Sequence, residues 1–386
     1  MKIGCVKEVK HHEYRVGLTP SDVKSYISRG HNVMIQNNAG NDAGFENSEY
    51  LKAGAEIIAS NKEVYNKAEM IIKVKEPVPA EYDLLQNDQI LFTYLHLAAD
   101  RKLTETLMKK GVKAVAYETI EDEEGQLPCL KPMSEIAGRL AIQEGAKYLE
   151  KTYGGRGVLL GGIPGVSRGK VGIIGGGVVG TNACKIATGM GADVTILDIS
   201  AKRLEYLDDI FGSRITTLYS TDANIEKVLT ESDLVIGAIL LKGAKAPHLV
   251  KRHHLKLMKK GAVIVDVAVD QGGCVETIKP TTHDNPVYVI DDIVHYGVTN
   301  MPGVVALSST NALTSATLPY GLMIAELGLE EACRQSEAIK SGVNIYGGKC
   351  VYPNVAKAFD MPCYSIDKML SSSAKAPEDK SAEALA

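Results

Sequence analysis

The chain has 386 residues, with 43 Lys and Arg against 47 Asp and Glu and a formal net charge of −4. At roughly 100–200 residues per domain this length predicts two or three domains, and 45% hydrophobic with 23% charged residues supplies packed cores and excludes global disorder. With no basic excess, nucleic acid is excluded as the principal partner. Met1 to Lys7 form no apolar signal region, and no stretch offers the roughly eighteen uncharged apolar residues of a membrane span, so a cytoplasmic protein is expected.

Short β-branched runs at 2–6, 32–36, 70–75, 89–95 and 113–117 predict strands, and the polar stretches 21–29, 49–53 and 100–110 predict helices between them. This alternation indicates βα units around a largely parallel, buried sheet. Pro20-Ser21-Asp22 and Ala99-Asp100 supply helix starts. The spacing of Ile136, Leu140, Ala141, Tyr148 and Leu149 predicts one long helix over 133–151, followed by a glycine-dense loop at 154–165. A second series follows: strand 170–174, helix 178–188, strand 193–197, helix 202–211, then strands at 215–218, 234–237, 263–267 and 287–290. Two separately wound sheets are expected. From about 308 to 341 the pattern is helical with no further strand series, and 371–386, rich in Ser, Ala, Lys and Glu, reads as a solvated tail. The seven cysteines are odd in number and never spaced C-x-x-C, so neither a disulfide framework nor a metal site is expected.

The run Lys170 to Ile174 is a buried strand that enters G-x-G-x-x-G at Gly175, Gly177 and Gly180 and then a helix. Gly175 permits the tight turn, Gly177 lets backbone approach a pyrophosphate, and Gly180 seats the helix close on the sheet. The helix N-terminus offers unpaired N–H groups to the anion. Glycines serving only close packing are the alternative. The next strand ends in Asp198, eighteen residues beyond Gly180, where a carboxylate accepts ribose hydroxyls and repels a 2′-phosphate. NAD is therefore favoured over NADP, with Arg203 nearby as the residue that could accommodate the extra phosphate.

Five polar residues fall where strands of the two series give way to loops. Arg15, past the first strand, suits a carboxylate through paired hydrogen bonds or belongs to a solvated charge run. Lys73 and Lys75 close the predicted strand 70–75 on one face by the period of two, and position does not choose between them. His96 ends an apolar strand, as an acid–base group or as a satisfied core histidine. Asp270 follows the run 262–269, facing a nicotinamide cleft or serving the turn before Gly272 and Gly273.

In order along the chain stand Lys7-Glu8, Glu13-Tyr14-Arg15-Val16, Lys73-Val74-Lys75-Glu76-Pro77, Thr93-Tyr94-Leu95-His96-Leu97-Ala98-Ala99-Asp100, Pro132-Met133-Ser134-Glu135, Gly161-Gly162-Ile163-Pro164-Gly165-Val166, Asp266 to Cys274, and Asn300-Met301-Pro302-Gly303. Through these stretches the chain resembles the NAD-dependent L-alanine dehydrogenases from Met1 to about Cys363. The resemblance implies an α/β fold of two domains, a Rossmann dinucleotide-binding domain (129–307) inserted in a discontinuous Rossmann-like substrate domain (1–128 with 308–370), with the active site in the cleft between them. It implies reversible oxidative deamination of L-alanine to pyruvate and ammonia with NAD as hydride acceptor, in a homohexamer. It selects Lys75 over Lys73: Arg15 and Lys75 then bind substrate, His96 is the acid–base group, and Asp270 orients or stabilises the cationic imine. Cofactor contacts implied beside the three glycines are Ser134, Val178, Val179, Asp198, Arg203, Ser220, Ile239, Leu240, Val267, Ala268, Val269, Asp270, Lys279, Val298, Thr299, Asn300 and Met301. Two positions depart from the family pattern: Lys279 stands where an Arg is usual, keeping the charge without the planar fork, and Ala306-Leu307 replaces Pro-Arg. The soluble nucleotide-binding component of a membrane nicotinamide nucleotide transhydrogenase is the rival, sharing the glycine turn but having no need of Arg15, Lys75 and His96.

Overall fold

The computed structural model describes residues 1–239 and 246–373. The chain divides into two compact units, Met1–Pro132 together with the residues from Val305 onward, and Met133–Val304. The strands are β1 (Lys2–Cys5), β2 (Asn32–Gln36), β3 (Glu56–Ile58), β4 (Met70–Ile72), β5 (Ile90–Thr93), β6 (Lys113–Ala116), β7 (Lys170–Ile174), β8 (Asp193–Asp198), β9 (Ile215–Tyr219), β10 (Leu234–Gly237), β11 (Val263–Asp266), β12 (Val287–Ile290), β13 (Ile293–Tyr296), β14 (Val343–Tyr346) and β15 (Lys349–Cys350).

Among the described residues they form two sheets. The first unit has the order β15-β14-β6-β5-β4-β1-β2-β3 and the second β12-β13-β11-β10-β7-β8-β9. All pairings of β1 to β6 are parallel, and β14 and β15 add an antiparallel edge. In the second sheet only β12 runs antiparallel. Every residue of β5, β10, β11 and β13 is buried, as sheets covered on both faces require. In each sheet the winding reverses beside the first strand: β1 lies between β2 and β4, and β7 between β8 and β10. Ligands of open α/β sheets gather outside the carboxyl ends of strands at such a reversal.

Helix starts follow local chemistry. Thr19 caps the helix Pro20–Ile27: its hydroxyl accepts the Asp22 N–H at 3.2 Å while Asp22 accepts the Thr19 N–H at 2.7 Å. Asp100 caps Arg101–Lys110 by accepting the Leu103 N–H at 2.9 Å.

Several elements differ from the sequence reading. β4 stops at Ile72 instead of 75, β5 at Thr93 instead of 95, and β11 at Asp266 instead of 267. At each end a carboxylate takes backbone N–H groups that a longer strand would pair: Glu8 takes Val74, Glu118 takes Leu95, and Asp266 takes Ala268. The helical run expected from about 308 to 341 is three helices, Ala306–Leu327, Leu329–Gln335 and Glu337–Gly342. Gly328, at φ +77°, makes the first break, and Ser336 caps the third helix. β14 and β15 then return to the first sheet through Gly347 and Gly348, both at positive φ. The reading also missed β3, β13 and the helices Asn61–Lys67 and Asp222–Glu231. Residues 371–373, expected in the tail, are the last turn of the helix Ile366–Ser373, and 374–386 lie outside the described residues. No helix among the described residues is long and apolar enough to cross a membrane.

The first unit contains a fully buried charge cluster. Lys73 Nζ lies 2.9 Å from Glu81 Oε1 and 3.3 Å from Glu8 Oε2, and the Tyr65 hydroxyl donates to Glu81 at 3.0 Å. Burial opposes the ammonium charge, but Glu8, Tyr65 and Glu81 outweigh it and hold Lys73 protonated above the ordinary lysine range. Removing one partner leaves buried charge uncompensated. Lys73→Met is expected to cost about 3–5 kcal/mol of folding stability, read by denaturant unfolding; an unchanged midpoint and slope would show that the cluster contributes nothing.

Candidate functional site

The residues expected to contact the dinucleotide all belong to the second unit, and most lie past the carboxyl ends of its parallel strands. Gly175 follows β7 at φ +105°, and its N–H donates to Leu197 O at 2.8 Å. Gly177 is the N-cap of the helix Val178–Gly189, and a Cβ placed on it would meet nothing within 4 Å, so the backbone is open to a ligand. A Cβ on Gly180 would lie 1.8 Å from the Gly175 carbonyl oxygen, which only glycine avoids. The first turn, carrying Val178 and Val179, thus presents its free N–H groups beside the glycine turn. Ser134 lies on the helix Lys131–Tyr148, which approaches so closely that a Cβ on Gly138 would be 2.2 Å from Val179 O.

Asp198 ends β8 and ties the turn to the next element. Its Oδ2 accepts the Gly176 N–H at 2.7 Å and its Oδ1 accepts the Ser200 N–H at 2.8 Å. Arg203 folds back on the same turn, donating from Nε to Gly176 O and from a terminal nitrogen to Thr181 Oγ1 at 2.5 Å, with its guanidinium over the Tyr206 ring at 4.7 Å. The Ser220 N–H beyond β9 donates to Asp198 O at 3.0 Å. Ile239 follows β10, and Val267, Ala268, Val269 and Asp270 follow β11, with Asp270 exposed on the 3-10 turn Val269–Gln271. Val298, Thr299, Asn300 and Met301 follow β13, Asn300 at φ +59°. Lys279 is exposed, and its backbone lies against Gly297 just past β13. Leu240 lies outside the described residues.

Beneath this edge Asp266 is buried and accepts N–H groups from Ala268 at 3.0 Å, Cys274 at 2.8 Å and Val275 at 3.1 Å. Burial raises its carboxyl to about 6, against the lowering effect of those N–H groups. It thereby closes the loop that carries Asp270.

In the first unit Arg15, Lys75 and His96 follow β1, β4 and β5, three successive strands of the sheet that run outward from the winding reversal. Arg15 is only 2% exposed, so it is no member of a solvated charge run. Its Nε donates to Glu13 Oε1 at 2.6 Å and a terminal nitrogen to Glu13 Oε2 at 2.5 Å. Lys73 and Lys75 differ sharply, against the shared face that alternation predicts: β4 ends before both, Lys73 is consumed by the buried cluster, and Lys75 stays partly exposed. The ammonium of Lys75 is lowered from its ordinary value first by burial and then by the Arg15 guanidinium, with Glu76 and Glu13 opposing.

His96 is not a core histidine, since its side chain is 47% exposed. It stands at φ +50°, stacked on Tyr94 with ring centroids 6.0 Å apart. Burial would raise the neighbouring Glu76 carboxyl, but His96, Lys10 and Lys75 outweigh it and hold it well below the usual carboxylate range.

Sequence reasoning missed the carboxylates that hold these groups. Glu8, Glu13, Glu76 and Asp266 sit inside the motif stretches, where an acidic residue in or beside an apolar strand end was the available signal. Glu118 carried none, because its contact with residue 96 exists only once β5 and β6 pair.

Also in the second unit, Glu226, His253 and His254 bring possible metal ligands within 4.8 Å of one another. His254 Nδ1 accepts the Lys251 N–H at 3.2 Å, which leaves the proton of the neutral ring on Nε2 and no free lone pair there.

The two-unit α/β architecture agrees with comparisons to known proteins. Residues 4–137 match the model for the alanine dehydrogenase/PNT N-terminal domain, and 141–353 match that for the C-terminal domain. The chain belongs to the alanine dehydrogenase/PNT family. It is 53% identical over 371 residues, 96% of this chain and all of the relative, to an alanine dehydrogenase of Methanococcus maripaludis. It is 51% identical, at the same coverage, to alanine dehydrogenase 2 of Staphylococcus aureus. A solved L-alanine dehydrogenase structure superposes with a TM-score of 0.91 at 53% identity, covering 93% of this chain and 99% of that one. A transhydrogenase from Sinorhizobium meliloti, 23% identical and covering 92% of this chain and 99% of its own, superposes at 0.78 and shares the fold.

The glycine turn gives a direct test. Gly180→Ala is expected to weaken NADH binding at least tenfold in a fluorescence titration, because the 1.8 Å approach forces the turn open. Wild-type affinity would show that the turn does not hold the dinucleotide.

Proposed function

We propose that the protein is an NAD-dependent L-alanine dehydrogenase that reversibly converts L-alanine, water and NAD+ to pyruvate, ammonium, NADH and a proton. One observation carries the reading: Arg15, Lys75 and His96 follow neighbouring strands of the first sheet in a chain 53% identical to an alanine dehydrogenase over 96% of its length. The first unit is the substrate-holding one and the second the dinucleotide-binding one. The open Gly177, the close Gly175–Gly180 packing and Asp198 fit a dinucleotide, and they support NAD over NADP because Arg203 is spent on its own turn. Bound NAD supplies the hydride acceptor.

Arg15 and Lys75 hold the substrate carboxylate. The guanidinium keeps its charge at every working pH, whereas Lys75 is the adjustable member of the pair. His96 takes a proton from water as it adds to the imine carbon and returns one as the carbinolamine expels ammonia. Asp270 steadies the cationic imine. On the family resemblance we place the enzyme in the cytoplasm as a homohexamer.

The purified protein, without any partner, is expected to form NADH from L-alanine in a spectrophotometric assay, and His96→Ala to lower kcat about a hundredfold or more with NADH affinity kept. Failure to turn over alanine without a partner would favour a transhydrogenase component. Because the Lys75 ammonium is lowered, its neutral form appears at a lower pH than for an ordinary lysine. KM for pyruvate is therefore expected to rise early on the alkaline side in wild type, and at higher pH in Lys75→Arg. Identical profiles would remove Lys75 from carboxylate binding.

A further inference from the structure

Residue 96 is held from two directions. Past the end of β5 the chain turns into the left-handed region at φ +50° and ψ +34°, a conformation that disfavours a side chain with a Cβ. The N–H groups of Leu95 and His96 leave the ladder there. Both donate to one carboxylate, that of Glu118 beyond the neighbouring strand β6: Leu95 N at 3.2 Å to each oxygen, and His96 N at 2.7 Å to Oε1. Hydrogen bonds to a charged acceptor are stronger than neutral ones, and two donors meeting one carboxylate offset the strain of a single left-handed residue.

The ring is held separately. Glu76 gives one oxygen to Lys10 Nζ. Its other oxygen, Oε2, is shut away from solvent, and among the described residues the group that faces it is His96 Nδ1 at 3.5 Å. A shielded carboxylate oxygen favours a donor opposite it, so the proton of the neutral ring belongs on Nδ1 and the lone pair on Nε2.

We propose that Glu118 and Glu76 are the positioning residues of the proton-transfer step: Glu118 locks the left-handed backbone of His96, and Glu76 fixes the ring tautomer so that Nε2 faces the substrate. The proposal rests on the reading of His96 as the acid–base group. Neither glutamate touches substrate; both act through His96. Glutamine at 76 can turn its amide N–H toward Nδ1 and favour the opposite tautomer. Glutamine at 118 keeps one carbonyl oxygen as an acceptor, and alanine keeps none.

The test is a double-mutant cycle on the full-length enzyme, reading kcat with L-alanine, NADH affinity by fluorescence, and thermal midpoint. Glu118→Ala and Glu76→Gln are each expected to lower kcat about tenfold to a hundredfold. Glu118→Gln is expected to recover part of the first loss, with NADH affinity unchanged in all three. In a His96→Ala background none of the three should lower the residual rate further. Losses that multiply undiminished in that background would overturn the proposal, since the glutamates would then act elsewhere. Wild-type kcat in Glu118→Gln, Glu118→Ala and Glu76→Gln beside a crippled His96→Ala would overturn it while leaving the acid–base reading intact. A fully active His96→Ala would overturn both. Should Glu118→Ala fail to fold, Glu76→Gln and Glu118→Gln carry the same cycle.

Discussion

Where the parallel strands of both sheets end, side-chain carboxylates accept the backbone N–H groups that the ladder leaves unpaired. Glu8 takes Val74 past β4, Glu118 takes Leu95 and His96 past β5, Asp198 takes Gly176 past β7, and Asp266 takes Ala268, Cys274 and Val275 past β11. Each bond replaces a strand–strand bond with one to a charged acceptor that a single side chain can aim. The chain can therefore leave the pleat at a chosen residue without stranding a buried donor.

In the first unit the same carboxylates balance cations. Glu13 meets Arg15, Glu8 and Glu81 meet Lys73, and Glu76 meets Lys10 and faces His96. A net charge of −4 on 386 residues thus conceals a dense local pairing, in which Glu8 bonds the buried ammonium with one oxygen and the backbone leading to Lys75 with the other. Acidic residues in or next to apolar strands are where such a network announces itself in a sequence.

Much of the second unit was legible because glycine requirements are local. Strand, G-x-G-x-x-G, helix, strand and Asp198 are fixed by close approaches within thirty residues, and the structure shows each of them. The first unit was harder. Alternation gave Lys73 and Lys75 one face, yet β4 ends before either, so a pattern of period two no longer applied. Strand ends at Ile72, Thr93 and Asp266 were overrun for the same reason: the residues that stop them are distant in sequence or face backbone instead of side chains. The hairpin of β14 and β15 was invisible because its residues pair with β6, more than two hundred positions earlier.

Asp198 joins two duties in one carboxylate. One oxygen anchors the glycine turn through Gly176, and the other caps the start of the following helix through Ser200. In the proposed dinucleotide site, the carboxylate assigned to choose between cofactors is thus also a structural strut of its turn. Drift or engineering toward a phosphorylated cofactor cannot proceed by changing this residue alone. A substitution that admits the extra phosphate also releases both backbone anchors, and a replacement for those anchors has to arrive with it.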